Sequence, residues 1–114
     1  MLGGVMTQDI DAAMGVRINT APGVTEIRLS GRMTFAEHDR FRHVISAFDG
    51  PSGHQMVFDL SDLEFVDSSG LGMLLIARDV AQRKRLDFSL KGVRNEVRRV
   101  MTMAKFERII PILE

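Results

Sequence analysis

Cysteine is absent from the 114 residues, and so are tryptophan and tyrosine. Without cysteine there is no disulfide framework, no thiolate nucleophile and no Cys-ligated metal site. Long apolar runs are missing too, and none approaches the ~18 residues that span a bilayer. The opening stretch MLGGVMTQDIDAAMG has neither a basic segment nor a continuous apolar one, so it does not read as an export signal. Neither charge is in surplus, with 15 Lys and Arg against 15 Asp and Glu, and no overall field draws the chain to nucleic acid. What remains is 45% hydrophobic and 26% charged, the balance of an ordinary globule. A chain of this length is about one domain and buries roughly two-thirds of its unfolded surface. These absences predict a cytoplasmic, single-domain protein with no membrane insertion.

The charges are nevertheless segregated. Residues 1–70 carry 5 basic and 10 acidic side chains, and residues 71–114 carry 10 and 5. Such halves can steer a partner, although solvated helix faces are the commoner origin of the pattern.

Residues 1–13 are small and polar without periodicity and read as a flexible leader, with the domain over 14–114. Val16 and Ile18 alternate before the turn Ala21-Pro22-Gly23, and Val24, Ile27 and Leu29 follow, so 15–30 reads as a hairpin with an irregular loop that Gly31 ends. Thr34-Phe35-Ala36-Glu37 fits a capping box ahead of the helical stripe Phe41, Val44, Ile45 and Phe48. Asp49-Gly50-Pro51-Ser52-Gly53 stops that helix. Met56 to Leu60 reads as a short buried strand, followed by an acidic loop from Ser61 to Asp67. A helix then runs to about Lys84. Leu86, Phe88 and Leu90 alternate as a strand, Asn95 caps a helix carrying Val97, Val100, Met101 and Ala104, and Ile109, Ile110 and Ile112 form a last strand. The order ββαβαβαβ predicts an α/β sandwich with a mixed sheet and helices packed on it.

Ser68-Ser69-Gly70-Leu71-Gly72 is where local chemistry concentrates. Two hydroxyls stand where a helix begins, and Gly70 and Gly72 strip its first turn of side chains. One reading is an N-cap in which a serine satisfies free backbone N–H groups, followed by glycines that allow close packing. The other is an anion site, in which backbone donors and the positive helix end favour a phosphate carried by one serine. At 100° per residue, Gly70, Met73, Leu74, Ala77, Val80 and Ala81 form the sheet-facing side. Leu71, Leu75, Arg78 and Gln82 fall opposite. An exposed leucine pair beside the serines reads as a protein-docking surface.

Phe58-Asp59-Leu60, Leu63 and Phe65-Val66-Asp67-Ser68-Ser69-Gly70-Leu71-Gly72, in this element order, resemble the STAS domains of bacterial anti-anti-sigma factors (anti-sigma factor antagonists). The resemblance covers residues 14–113. It implies that Ser69, the serine immediately before Gly-Leu-Gly, is phosphorylated by a GHKL-type serine kinase that doubles as an anti-sigma factor. A PP2C-type phosphatase reverses the modification, and the unphosphorylated form binds the kinase. By the same resemblance, Asp67, Ser68, Gly70 and Gly72 complete the phosphorylation loop. The docking reading adds Leu71, Leu75 and Arg78 as partner-binding residues. The tail departs from the family pattern, with Ala104-Lys105-Phe106 where many members have a small residue, glycine and leucine. Two other outcomes stay open: a non-switching STAS subunit of a larger assembly, such as a lipid-transport ATPase or a stressosome-like scaffold, or a sensor of a small ligand or nucleotide.

Enzyme chemistry finds little support. A nucleophile elbow needs glycine where Asp67 stands, and His38, His43 and His54 are placed by no motif. His38 reads as a helix-boundary residue, His43 as solvated and His54 as part of a loop. Asp59, Asp62, Glu64 and Asp67 lack the glycine and closing glutamate of a calcium loop, so they read as a solvated acidic rim, with no metal and no cofactor. Lys91, Arg94, Arg98, Arg99, Lys105 and Arg108 have one interleaved aromatic, Phe106, so a solvated helix face outranks direct nucleic-acid binding.

Overall fold

A computed structural model describes residues 14–113; the leader expected over 1–13 lies outside the described residues. Strand β1 (Met14–Ala21) turns back through Pro22 and Gly23 into β2 (Val24–Met33). The turn is a tight two-residue connection rather than an irregular loop: Ala21 pairs with Val24, and Gly23 takes φ +83°, a region open to glycine at no steric cost. A 3-10 turn (Phe35–Glu37) leads into helix α1 (His38–Ile45), and then come β3 (Gln55–Val66), α2 (Ser68–Arg83) and β4 (Asp87–Lys91). Helix α3 (Asn95–Met103), a second 3-10 turn (Phe106–Arg108) and β5 (Ile112–Leu113) follow, the last of the elements among the described residues. The sheet order is β1-β2-β3-β4-β5, antiparallel between β1 and β2 and parallel elsewhere, as the ββαβαβαβ reading requires.

Phe41 and Phe48, from α1 and the segment after it, meet Phe58 of β3 and Phe88 of β4 in an aromatic cluster. Phe58 stands edge-on to Phe41 at 6.0 Å and to Phe88 at 5.0 Å. Met73, Leu74, Ala77 and Ala81 of α2 and Val97 and Met101 of α3 join the same buried cluster.

The opposite face of the sheet is polar. Arg17, Arg28, Asp59 and Lys91 stand in register across β1 to β4. Arg28 reaches Asp59 at 3.1 Å and Asp62 at 3.4 Å. Lys91 crosses β3 to Glu26 at 2.6 Å, and that contact raises the Lys91 ammonium above its ordinary value. Val57, on the same face of the central strand, is buried.

Several boundaries differ from the sequence reading. Gly31 does not end β2: the strand runs on to Met33 with register shifts on either side of Ser30 and Gly31, and Gly31 has φ +83°. The acidic stretch after Leu60 is not a loop, because β3 continues to Val66 opposite those shifts. Asp59 does not belong to a solvated rim, being 4% exposed. Thr34 and Glu37 form no capping box, and neither side chain makes a cap hydrogen bond. Instead Glu37 donates its backbone N–H to the Thr34 carbonyl and is buried, 3.6 Å from Arg40. Asn95 does not cap α3; it is the first helical residue, at φ +56°. Ile109 and Ile110 precede the last strand, in which only Ile112 and Leu113 pair with β4.

Candidate functional site

Two bulges deliver β3 to the start of α2. Arg28 pairs with Asp59 but Ser30 pairs with Asp62, so Leu60 and Ser61 together oppose Leu29 alone. Asp59 fastens this bulge, its Oδ1 accepting from the Ser61 backbone N–H at 3.0 Å and from the Ser61 hydroxyl at 2.7 Å. Burial pushes the Asp59 carboxyl up, but the bonds from Ser61 and the Arg28 guanidinium outweigh it and hold the group below the ordinary carboxylate range. Gly92, at φ +72°, lies so near that a Cβ there would stand 2.9 Å from Ser61 Cβ.

Past Val66 the chain enters α2 through Asp67. The cap is this aspartate and not a serine: Asp67 Oδ1 accepts from the Gly70 backbone N–H at 2.8 Å, satisfying a donor that the first turn leaves orphaned. Ser68 is exposed and Ser69 half-buried. With the cap position filled, neither serine hydroxyl makes a hydrogen bond among the described residues. Asp67 also donates its own N–H to the Met33 carbonyl at 3.3 Å, which ties the end of β2 to the helix start.

The two glycines of the turn differ physically. A Cβ on Gly70 would lie 2.5 Å from Val66 Cγ2 and closer still to the Met33 carbonyl oxygen, so this position is glycine because β2 and β3 press against it. A Cβ on Gly72 would meet nothing within 4 Å, so packing within the chain does not require glycine there.

The outward face of α2 also departs from the helical projection. Leu71 is half-buried and packs against the core rather than standing exposed. Leu75 is 39% exposed and is joined by Ile76 at 48%, a residue the projection passed over. Arg78 does not project freely: its Nε donates to the Ile109 carbonyl at 3.0 Å, binding α2 to the C-terminal segment. Phe35 is 71% exposed, two residues beyond the Met33 carbonyl that Asp67 and Gly70 contact. The signal for Ile76 was present in the spacing Gly72, Leu75, Ile76, Asp79, one stripe at i, i+3, i+4, i+7. Nothing local marks Phe35, which reaches this neighbourhood only through the β2–β3 pairing.

The other candidate residues lie apart from the serines or are engaged elsewhere. His38 opens α1, with its ring 6.1 Å from that of Phe35. His43 is exposed, with Nδ1 3.1 Å from the Asp39 carbonyl oxygen, and His54 Nε2 lies 2.9 Å from Thr25 Oγ1. Among the described residues, no three His, Cys, Asp or Glu side chains converge as metal ligands, and no helix is long and apolar enough to cross a membrane. In the basic stretch, Arg99 forks onto Glu96 at 2.7 and 3.1 Å, and Arg98 donates to the Val93 carbonyl.

The chain resembles known proteins over most of its length. It is 34% identical over 86 residues to a STAS-domain containing protein of Pseudomonas aeruginosa, covering 75% of this chain and 84% of that one. It is 30% identical over 93 residues to the anti-sigma F factor antagonist of Paenibacillus polymyxa, covering 81% and 80%. The crystal structure of an anti-sigma factor antagonist from Mycobacterium paratuberculosis superposes with a TM-score of 0.75 at 21% identity, covering 87% of this chain and 84% of that one. The STAS domain family profile matches residues 16–114. With its five-stranded mixed sheet, three helices and capped α2 turn, the chain belongs to the STAS domain family.

Proposed function

We propose that this protein is an anti-sigma factor antagonist working as a phospho-switch in the cytoplasm: a binding module rather than an enzyme. In this reading it holds a GHKL-type serine kinase/anti-sigma factor while Ser69 is free and releases it once Ser69 is phosphorylated. A PP2C-type phosphatase restores the binding form. The observation that carries the proposal is the construction of the α2 entry. Asp67 takes over the cap, which leaves the Ser69 hydroxyl without a side-chain partner among the described residues, at the positive end of the 16-residue helix that also carries exposed Leu75 and Ile76. The kinship with the Paenibacillus polymyxa antagonist supports the same reading.

The electrostatics suit a reversible device. A phosphate adds about −1.5 to −2 charges, and a helix N-terminus stabilises such charge by roughly 0.3–1 kcal/mol, so the free domain tolerates it. Against a partner's apolar surface the same charge is desolvated with Asp67 alongside, and only ~2.7 kcal/mol weakens binding a hundredfold. The interface therefore loses far more than the fold does.

The test is capture of partners from the source cytoplasm on the immobilised chain, followed by incubation with ATP and tandem mass spectrometry. The proposal expects a GHKL kinase among the captured proteins and a single phosphate on Ser69. A phosphate mainly on the more exposed Ser68, or none with an active kinase bound, overturns it. Binding that Ser69→Asp leaves unchanged would instead favour a permanently docked STAS subunit.

A further inference from the structure

The two edges of the sheet are built differently. β5 is two residues long and follows Pro111, and both shortness and proline deter pairing with another chain. β1 is eight residues long and ends the sheet on the other side, with no strand beyond it among the described residues. Its ladder with β2 is unbroken from Met14–Gly31 to Ala21–Val24, so no bulge twists the edge away, and it contains neither lysine nor proline. The two-residue turn makes Ala21–Val24 the hydrogen-bonded pair, and bonded and non-bonded pairs alternate from there. Val16, Ile18 and Thr20 therefore direct their backbone N–H and C=O groups outward.

We propose that this edge pairs antiparallel with β1 of a second copy of the chain, about a two-fold axis at Ile18, extending the sheet across the interface. The strand is complementary to itself in that register. Ile18, 45% exposed, faces Ile18 of the second copy, while Val16 faces Thr20, Gly15 faces Ala21 and Arg17 faces Asn19. Arg17 is the one charged residue of the strand, and an axis at Arg17 would set two arginines opposite each other. The interface is isologous and closed, so it yields a dimer and not a fibre. A single short strand buries well under the roughly 1,000 Å² of a stable interface, so the dimer forms reversibly as concentration rises.

Sedimentation equilibrium of the full chain from about 10 µM to about 1 mM, the range in which interfaces of this size associate, reads the assembly directly. The proposal expects a monomer–dimer equilibrium that Ile18→Lys weakens at least about tenfold while the melting curve is preserved. Because the chain has no cysteine, Ile18→Cys provides a second readout. Facing Cα atoms about 5.5 Å apart suit a disulfide, so this variant should form covalent dimers in a thiol–disulfide buffer far more readily than Asp79→Cys on the exposed face of α2. A chain that stays monomeric throughout, a dimer indifferent to Ile18→Lys, or cross-linking no faster at residue 18 than at residue 79 overturns the proposal.

Discussion

Gly70 and Gly72 stand two residues apart in one helix turn, yet they answer to different pressures. Gly70→Ala drives a methyl into the Met33 carbonyl and Val66, and overpacking of that kind costs about 1–3 kcal/mol. Gly72→Ala meets open space and removes the entropic penalty of a mid-helix glycine, so the isolated domain should gain about 0.5–1 kcal/mol. Urea titrations of both variants check the contrast, and equal effects would show that the first turn is not seated as described. The departure of the tail from the family pattern has a backbone consequence of the same kind. Lys105 takes φ +57°, in the left-handed region that costs a residue with a Cβ roughly 1–2 kcal/mol. Lys105→Gly is therefore expected to raise stability by about 0.5–1 kcal/mol, after the extra freedom of glycine in the unfolded chain is counted. A lower midpoint in the same titration would contradict this.

Within elements, β3 shows why a strand can be half visible. Met56 to Leu60 is uniformly apolar apart from Asp59 and reads as a strand, but the bulge at Leu60 and Ser61 breaks the alternation, and the rest of the strand looks like an acidic loop. Asp59 has the same history: its role depends on Ser61 and on Arg28 from another strand, and neither contact shows in a run of sequence. Asp59→Ala should cost about 1–3 kcal/mol, because it strands the bulge N–H and leaves Arg28 with Asp62 alone. The sign of the pH dependence follows from the lowered carboxyl. The contribution is complete above the ordinary aspartate range and is lost as pH falls through the lower folded value. Wild type should therefore lose stability below about pH 4 more steeply than Asp59→Ala, and parallel acid limbs would contradict the assignment. On α2, the sheet-facing residues were legible from periodicity alone, whereas the outward face was not. Leu71 is half-buried against the core, and Arg78 is occupied by a segment some thirty residues later in the chain. Under the proposed function, the docking stripe runs through Leu75 and Ile76, the two large apolar residues α2 leaves exposed. Alanine at either position should cost the fold less than about 1 kcal/mol and kinase binding about 1–3 kcal/mol.

At the scale of the molecule, the sheet separates a helix-covered apolar face from a charged one, and the ends of β2 and β3 meet at the α2 entry. The order of elements was readable because each crossover helix carries an apolar stripe and because Pro22-Gly23, the run Asp49 to Gly53 and Gly92 punctuate the chain. The turn Asp67 to Gly72 was readable because its residue types are unusual together. Which of those residues caps and which remains free was not, since Asp67, Ser68 and Ser69 are all capable caps and only the path of β3 decides among them. That choice underlies the functional reading, and it is open to one direct measurement. Calorimetric titration of the kinase that the proposal expects to capture, with wild type and with Ser69→Asp, alongside melting curves of both, separates interface from fold. The account predicts a cooperative melt near that of wild type for Ser69→Asp and binding at least about tenfold weaker, equivalent to about 1.4 kcal/mol. Unchanged affinity in Ser69→Asp would contradict it.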